Sequence, residues 1–455
     1  MNNDTIAAIS TAQGAGGIGV IRISGDNAID IADRVFKGVN KKPLSKYEGY
    51  KAGFGYIYDG DEKLDEAVAL VFRAPHSYTG ENVVELSCHG GIYITKMVLR
   101  TVLKNGAQPA GAGEFTKRAF LNGKMDLTES EAVMNIISAK GQAAARAALC
   151  CKEGNLRRKL DGIADSLIDT AAHISAWVDF PEEDVPEVEE NALITGFNNA
   201  LSELNALISR YDSGKAVTQG IDTVIVGKPN VGKSTLMNLL SGCERSIVTD
   251  IPGTTRDIIE ETVTLGNVVL RLSDTAGLRE TDNVVEKIGV EKTKERLESC
   301  GLVIAVFDGS IPLEADDIEL LEKIKALPTI AVINKSDLKS RLDIDRIKSC
   351  VNNIVEISAK SGKGLTLLTE NVEKLCGTQS FNPSDPILAN ERQLYKVREC
   401  VCALEECINA LNIGFGLDAV SVALSDAIDS LLEITGRKAA DSVIDAVFEN
   451  FCVGK

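Results

Sequence analysis

Short apolar runs separated by glycines dominate the N-terminal part of the chain: IAAIS, GVIRISG, EAVALVF and NVVELS all fall between Asp4 and about Gly113. Runs of this length between turn residues predict strands. From about Glu114 to Lys215 alanine-rich segments with a helical period take over, such as EAVMNIISAKGQAAARAALC, and predict a helical region. Within it, the acidic stretch from Pro181 to Glu190 (PEEDVPEVEE) is expected to be a loop between helices. After Gly220 the runs DTVIV, VVLRLS, LVIAVF, TIAVI and NIVEIS alternate with helical stretches, the pattern of a mainly parallel sheet with crossover helices. That pattern ends near Gly377, at the breaker-rich FNPSDP. Beyond it Leu394, Val397, Val401, Leu404, Ile408 and Leu411 alternate steps of three and four, which predicts one apolar stripe on a helix.

At ~150 residues per domain, a length of 455 predicts about three domains. A helical region on either side of the α/β unit suggests a helical domain interrupted by an insertion, which requires only that the inserted termini lie close together. The expected parts are an α+β N-terminal domain (1–117), a helical domain (118–215 plus 380–455) and an inserted α/β domain (216–379).

Composition narrows the function classes. A 44% hydrophobic content excludes disorder throughout. The net charge of −17 argues against broad, non-specific nucleic-acid binding, leaving local clusters such as Lys117-Arg118 and Arg157-Arg158-Lys159, which also read as solvated helix faces. No apolar run approaches the ~18 residues a membrane span needs, and the opening MNNDT carries an acid where a secretory leader needs bases, so a cytoplasmic chain is expected. Eleven scattered cysteines point to reduced thiols, with Cys400 and Cys407 read as core side chains rather than metal ligands.

The α/β region carries the chemistry. GKPNVGKST (Gly227 to Thr235) fits G-x-x-x-x-G-K-[ST] between a strand and a helix. Backbone N–H groups from Asn230, Val231, Gly232 and Thr235 can close around phosphate oxygens, Lys233 can reach the β- and γ-phosphates, and Ser234 can offer its hydroxyl to Mg²⁺. Asp274, Thr275, Ala276 and Gly277 (DTAG) put a carboxylate near the metal's water shell and an N–H near the γ-phosphate. In NKSD, Asn334 and Lys335 precede Asp337, whose carboxylate can accept from guanine N1–H and its amino group, a donor pair adenine lacks. Ser358, Ala359 and Lys360 (SAK) would brace the base from the other side. Between the first two motifs, TDIPGTTRD suits a switch: Thr249, Asp250, Ile251, Pro252, Gly253 and Thr254 lead to Thr255, a candidate Mg²⁺ and γ-phosphate ligand. These motifs predict a GTP site. Leu278 follows DTAG, where Ras-like GTPases carry a water-orienting glutamine, so another group must do that work; Glu280, Asp282 and Glu286 are near.

The chain closely resembles the MnmE (TrmE) family of tRNA-modification GTPases over its whole length. The matching strings are DTIAAISTA, GIGVIRISG, SYTGENVVE, CHGG, GAGEFTKRAFLNGKMDLTESEAV, GKPNVGKST, TDIPGTTRD, DTAGLRE and the terminal FCVGK, with Val453 where isoleucine is usual. The resemblance implies a Ras-like P-loop GTPase domain inserted into a helical domain and preceded by an N-terminal domain that dimerises and binds a tetrahydrofolate derivative, in its 5,10-methylene or 5-formyl form. It implies a K⁺ site at Asn230, helped by Thr249, Ile251 and Thr254, and a water-orienting role for Glu286. For the folate it implies Arg22, Glu85, Lys124 and Lys455, each of which, read alone, is an ordinary surface charge. It also implies a part in modification for Cys452, read alone a thiol in an unusual tail position.

The family's activity is then expected here: potassium-stimulated GTP hydrolysis coupled, with the FAD-dependent flavoprotein MnmG in a hetero-oligomer, to placing an aminomethyl or carboxymethylaminomethyl group on C5 of the wobble uridine of tRNA. The alternative is a regulatory GTPase switch acting on ribosome or RNA without transfer chemistry. Arg22, Glu85, Lys124 and the Cys452 tail discriminate, because a switch has no use for them.

Overall fold

In this computed structural model the described residues are 4–179, 188–242, 261–272, 300–449 and 451–455. They form two compact units, residues 4–134 with those from 428 onward, and residues 135–427.

Alternation of side chains builds the first unit. Its strands are β1 (Ile6–Ile9), β2 (Ile18–Ser24), β3 (Phe36–Gly38), β4 (Lys51–Asp59), β5 (Glu62–Phe72), β6 (Val83–His89) and β7 (Gln108–Pro109), in the order β3-β4-β5-β6-β2-β1-β7. All neighbours are antiparallel except β1 and β7. Because a strand has period two, Ile21 and Ile23 enter the core with Ala7, while Arg22 and the β1 residues Ile6 and Ala8 turn to the other face.

Two helices the apolar runs did not announce, α1 (Ala28–Val35) and α2 (Ile92–Lys104), cover the Ile21 face. In α2 the buried positions Thr95, Val98, Thr101 and Val102 do step at helical spacing, but among β-branched residues that step is hard to tell from a strand. Helices α3 (Glu114–Leu121) and α4 (Leu127–Ser138) follow, and the C-terminal α15 (Asp441–Glu449) packs Ile444 and Phe448 with Phe451 against Leu127 and Phe120.

The second unit begins with α5 (Gln142–Lys152), α6 (Asn155–Asp179), α7 (Glu190–Ser209) and α8 (Tyr211–Thr218). Of the predicted acidic loop, residues 181–187 lie outside the described residues, and Glu190 already opens α7. Then come β8 (Ile221–Val226), α9 (Lys233–Ser241), β9 (Glu261–Leu265), β10 (Val268–Leu272), β11 (Leu302–Asp308), α10 (Ala315–Ile324), β12 (Thr329–Asn334), α11 (Ile344–Lys348), β13 (Asn353–Glu356) and α12 (Leu365–Leu375).

The sheet order is β13-β12-β11-β8-β10-β9, parallel except for the antiparallel β9–β10 hairpin. All five predicted runs are strands; β9 escaped notice because Thr262 and Thr264 interrupt its apolar residues. Strands buried on both faces, such as β11, explain the unbroken apolar runs.

Helix α13 (Glu391–Asn412) carries the predicted stripe, and α14 (Leu417–Thr435) follows it. Leu394, Val397, Leu404 and Leu411 are buried, joined by Cys400 and Cys407. Burial pushes both thiols up to about 12, so they act as small neutral core side chains. Among the described residues no helix is long and apolar enough to cross a membrane.

Candidate functional site

The parallel sheet decides where the first site forms, since the loops at the carboxyl ends of β8, β11 and β12 meet there. After β8 the chain turns sharply at Gly227, where a Cβ would come within 2.3 Å of the Val306 carbonyl oxygen. Asn230 and Gly232 both adopt the left-handed region, φ 62° and 99°, and α9 starts at Lys233. A loop of this form followed by a helix N-terminus turns N–H groups inward as an anion cradle.

Lys233 donates from Nζ to the carbonyls of Gly227 and Lys228, both at 2.6 Å, and its burial lowers its pKa. Val231 is buried under the loop, whereas Ser234 and Thr235 are exposed on the first turn of α9, where a hydroxyl can meet a hydrated cation.

The end of β12 supplies the second wall. Asn334 donates from Nδ2 to the Val231 carbonyl at 2.8 Å and accepts at Oδ1 from the Ala359 N–H at 2.9 Å. Lys335, at φ 63°, donates to the Asn230 carbonyl at 3.1 Å and to Asp308 Oδ2 at 2.5 Å. Asp337 stands exposed beyond them; the Ser358 hydroxyl beside it holds its carboxyl below the usual range, so it stays an acceptor. Ser358 is buried and Lys360 exposed on the neighbouring loop.

Asp308 was missed in the sequence reading. Burial would raise its carboxyl, but Lys335 and two bonds from Ser310, at 2.9 and 2.6 Å, outweigh that and hold it low. Its signal was a carboxylate directly at the end of the LVIAVF strand. Thr249, Asp250, Ile251, Pro252, Gly253, Thr254 and Thr255 lie outside the described residues, as do Asp274, Thr275, Ala276, Gly277, Leu278, Glu280, Asp282 and Glu286.

The second candidate lies in the other unit, on the sheet face opposite the helix-covered core. Arg22 and Glu85 are direct partners in the β2–β6 register and form an ion pair at 2.8 Å. The Arg22 guanidinium lies 5.4 Å from the Tyr78 ring centre and 5.6 Å from that of Phe115. Tyr78 shares a hydrogen bond of 2.8 Å with Thr116.

Phe115 links this pair to the chain terminus, because its N–H donates to the Lys455 carbonyl at 3.2 Å. The tail is fixed further by Gly113 N–H to the Cys452 carbonyl at 3.4 Å and by Ser10 Oγ to the Gly454 carbonyl at 3.0 Å. Gly454 adopts φ 97°, and a Cβ there would come within 2.3 Å of the Ile9 carbonyl oxygen. The tail docks with the Cys452 side chain exposed. Lys124 makes its hydrogen bond elsewhere, to the Pro75 carbonyl at 3.1 Å.

Tyr78, Phe115 and Ser10 have no assigned role in the sequence motifs, although they sit in SYTGENVVE, GAGEFTK and DTIAAISTA. An ion pair flanked by two aromatic rings suits a flat, hydrogen-bonding heterocycle with an anionic tail.

The family description "MnmE helical domain" matches residues 127–452, and "GTP-binding protein TrmE N-terminus" matches residues 5–124. The tRNA modification GTPase MnmE of Clostridioides difficile (strain 630) is 41% identical over 456 residues, covering 100% of this chain and 99% of that protein. The protein of the same name from Thermoanaerobacter pseudethanolicus (strain ATCC 33223 / 39E) is 41% identical over 458 residues, covering 99% of each. Among solved structures, Era in complex with MgGDPNP and a 16S ribosomal RNA fragment is 30% identical with a TM-score of 0.27, over 40% of this chain and 66% of that one.

Proposed function

The chain belongs to the MnmE family of tRNA modification GTPases, and on that premise we propose that it hydrolyses GTP to drive modification of C5 of the wobble uridine. The product would be an aminomethyl or carboxymethylaminomethyl uridine, made in the cytoplasm together with the FAD-dependent flavoprotein MnmG. One observation carries this reading: a chain with a phosphate loop also holds the Arg22–Glu85 pair next to a docked, cysteine-bearing tail.

In this reading the loop from Asn230 to Thr235 binds the phosphates of GTP, Asp337 reads guanine, and Glu286 orients the attacking water. Ser234 and Thr255 hold Mg²⁺, and Asn230, Thr249, Ile251 and Thr254 hold K⁺. Arg22, Glu85, Lys124 and Lys455 hold the tetrahydrofolate derivative, within reach of the Cys452 thiol. The bound cations would supply positive charge beside the transferred phosphoryl group, and the folate a one-carbon unit.

The parts would be the N-terminal domain (1–117), a helical domain (118–215 plus 380–455) and the inserted GTPase domain (216–379). Ile18, Ile92 and Tyr93 expose apolar surface at one end of the N-terminal sheet, which supports pairing of two copies through that domain.

The test is a melting curve with and without a reduced folate. A ligand that binds only the folded state raises the melting temperature. A rise that disappears on Arg22→Ala supports the reading; no rise at saturating folate favours the regulatory switch.

A further inference from the structure

The second residue of the phosphate loop does something its motif does not require. Lys228 stands at an unspecified position of G-x-x-x-x-G-K-[ST], yet its side chain is only 13% exposed. Its Nζ is 2.7 Å from Glu314 Oε2 and 2.7 Å from Asp317 Oδ2, at the start of α10. Burial works against its charge, but the two carboxylates outweigh that and raise its pKa.

Asp317 is itself buried and has a second task, accepting the Glu314 N–H at 3.0 Å in the capping box of α10. The anchor is therefore rigid: a carboxylate fixed by a helix cap, with an ammonium fixed on it.

The backbone of Lys228 faces the nucleotide side. Its carbonyl accepts the Lys233 Nζ at 2.6 Å, so the side chain and the carbonyl of one residue join α10 to the phosphate-binding lysine. Gly227 at φ 147° and Asn230 at φ 62° flank this stretch, backbone conformations that L side chains seldom adopt.

We propose that Lys228 is a positioning residue for nucleotide binding, clamped by Asp317 and Glu314 so that the phosphate loop keeps its bound shape before nucleotide arrives. A binding loop already in its bound conformation does not have to be ordered by the ligand, so the clamp acts on affinity. It rests on the reading of the loop as a guanine-nucleotide site and adds to it a named source of preorganisation.

The experiment measures GDP and GTP affinity of the full chain by competition with a fluorescent GDP. The variants are Lys228→Met, Asp317→Asn, both together, and Lys228→Arg. Met keeps the apolar stem, and Asn keeps an acceptor for the α10 cap while removing the charge.

Each single change should weaken both nucleotides by roughly tenfold, the loss expected when a charge-assisted hydrogen bond holding a loop is removed. The pair should lose no more than Lys228→Met alone, because that change already removes the Asp317 contact that Asp317→Asn weakens. Lys228→Arg should stay within about threefold of the unaltered chain, since it can still reach both carboxylates. In hydrolysis the loss should appear in KM and leave kcat near its original value, a split that general destabilisation does not produce. Unchanged affinity in Lys228→Met, or losses that add in the pair, would overturn the proposal. A chain in which even the unaltered sequence fails to bind GDP overturns the nucleotide reading instead, and the clamp with it.

Discussion

Asn334 donates its side-chain amide to the carbonyl of Val231 at 2.8 Å, tying the NKSD loop directly to the GKPNVGKST loop. The same side chain accepts from Ala359, so one buried amide holds three loops in register. The space is fully used, because a Cβ on Gly232 would lie 2.2 Å from Asn334 Nδ2. On the proposed reading, recognition of the base and of the phosphates would share this one frame.

Replacing Asn334 by alanine should destabilise this unit by about 2–4 kcal/mol, since it leaves a buried carbonyl and a buried N–H without partners. Urea unfolding of the full chain, followed with and without GDP, checks this. A loss under about 0.5 kcal/mol, the size of an ordinary surface change, would show that the frame is held elsewhere.

Asp337→Asn should reverse the base preference. A carboxylate can accept from the N1–H and amino group of guanine, whereas an asparagine amide can also donate, to the O2 of xanthine. Competition binding should show GTP weakened by roughly a hundredfold or more and xanthosine triphosphate strengthened. An unchanged preference would remove Asp337 from the base site.

The first unit offers a pH test. His89 takes both its N–H and its Nδ1 to the Asp65 carboxylate, at 2.8 and 2.7 Å. The Asp65 contact raises the imidazole pKa. Burial alone would raise the Asp65 carboxyl, but the His89 hydrogen bonds outweigh it and hold it low. The imidazole's stabilising contribution is complete below its unfolded pKa and fades as pH rises through the raised one; the carboxylate's fades as pH falls through the lowered one. An NMR titration of the histidine ring protons should find His89 above the ordinary value, returning toward it in Asp65→Asn. Identical curves in the two proteins would contradict the pairing.

Gly454→Ala should loosen the tail while sparing the core. Its φ of 97° and the 2.3 Å approach to the Ile9 carbonyl leave no room for a methyl group. The melting temperature without ligand should fall by only a few degrees, but reduced folate should no longer raise it. A folate shift of the original size would separate the tail from that site.

Much of this was legible in the sequence because apolar run length and motif spacing are local properties. LVIAVF and TIAVI are strands buried on both faces, and GKPNVGKST and NKSD sit at strand ends where their chemistry requires. The helix α2 was not legible, since its stripe of Thr95, Val98 and Val102 is written in β-branched residues that suit a strand equally well. Nor was β9, whose threonines break the run. The pairing of Lys228 with Asp317 and of Lys335 with Asp308 joins residues 89 and 27 positions apart. No spacing rule spans such distances; the fold has to bring the loops together first. Arg22 and Glu85 became a pair only once the β2–β6 register was known.

On the proposed function, this chain takes part in modifying tRNA. The most direct test is mass spectrometry of wobble uridines in tRNA from a strain lacking its own copy, complemented with the intact chain or with Cys452→Ser. The intact chain should restore the 5-substituted uridine and the serine version should not, while both hydrolyse GTP. Unmodified uridine with the intact chain, in cells that also make MnmG, would contradict that function.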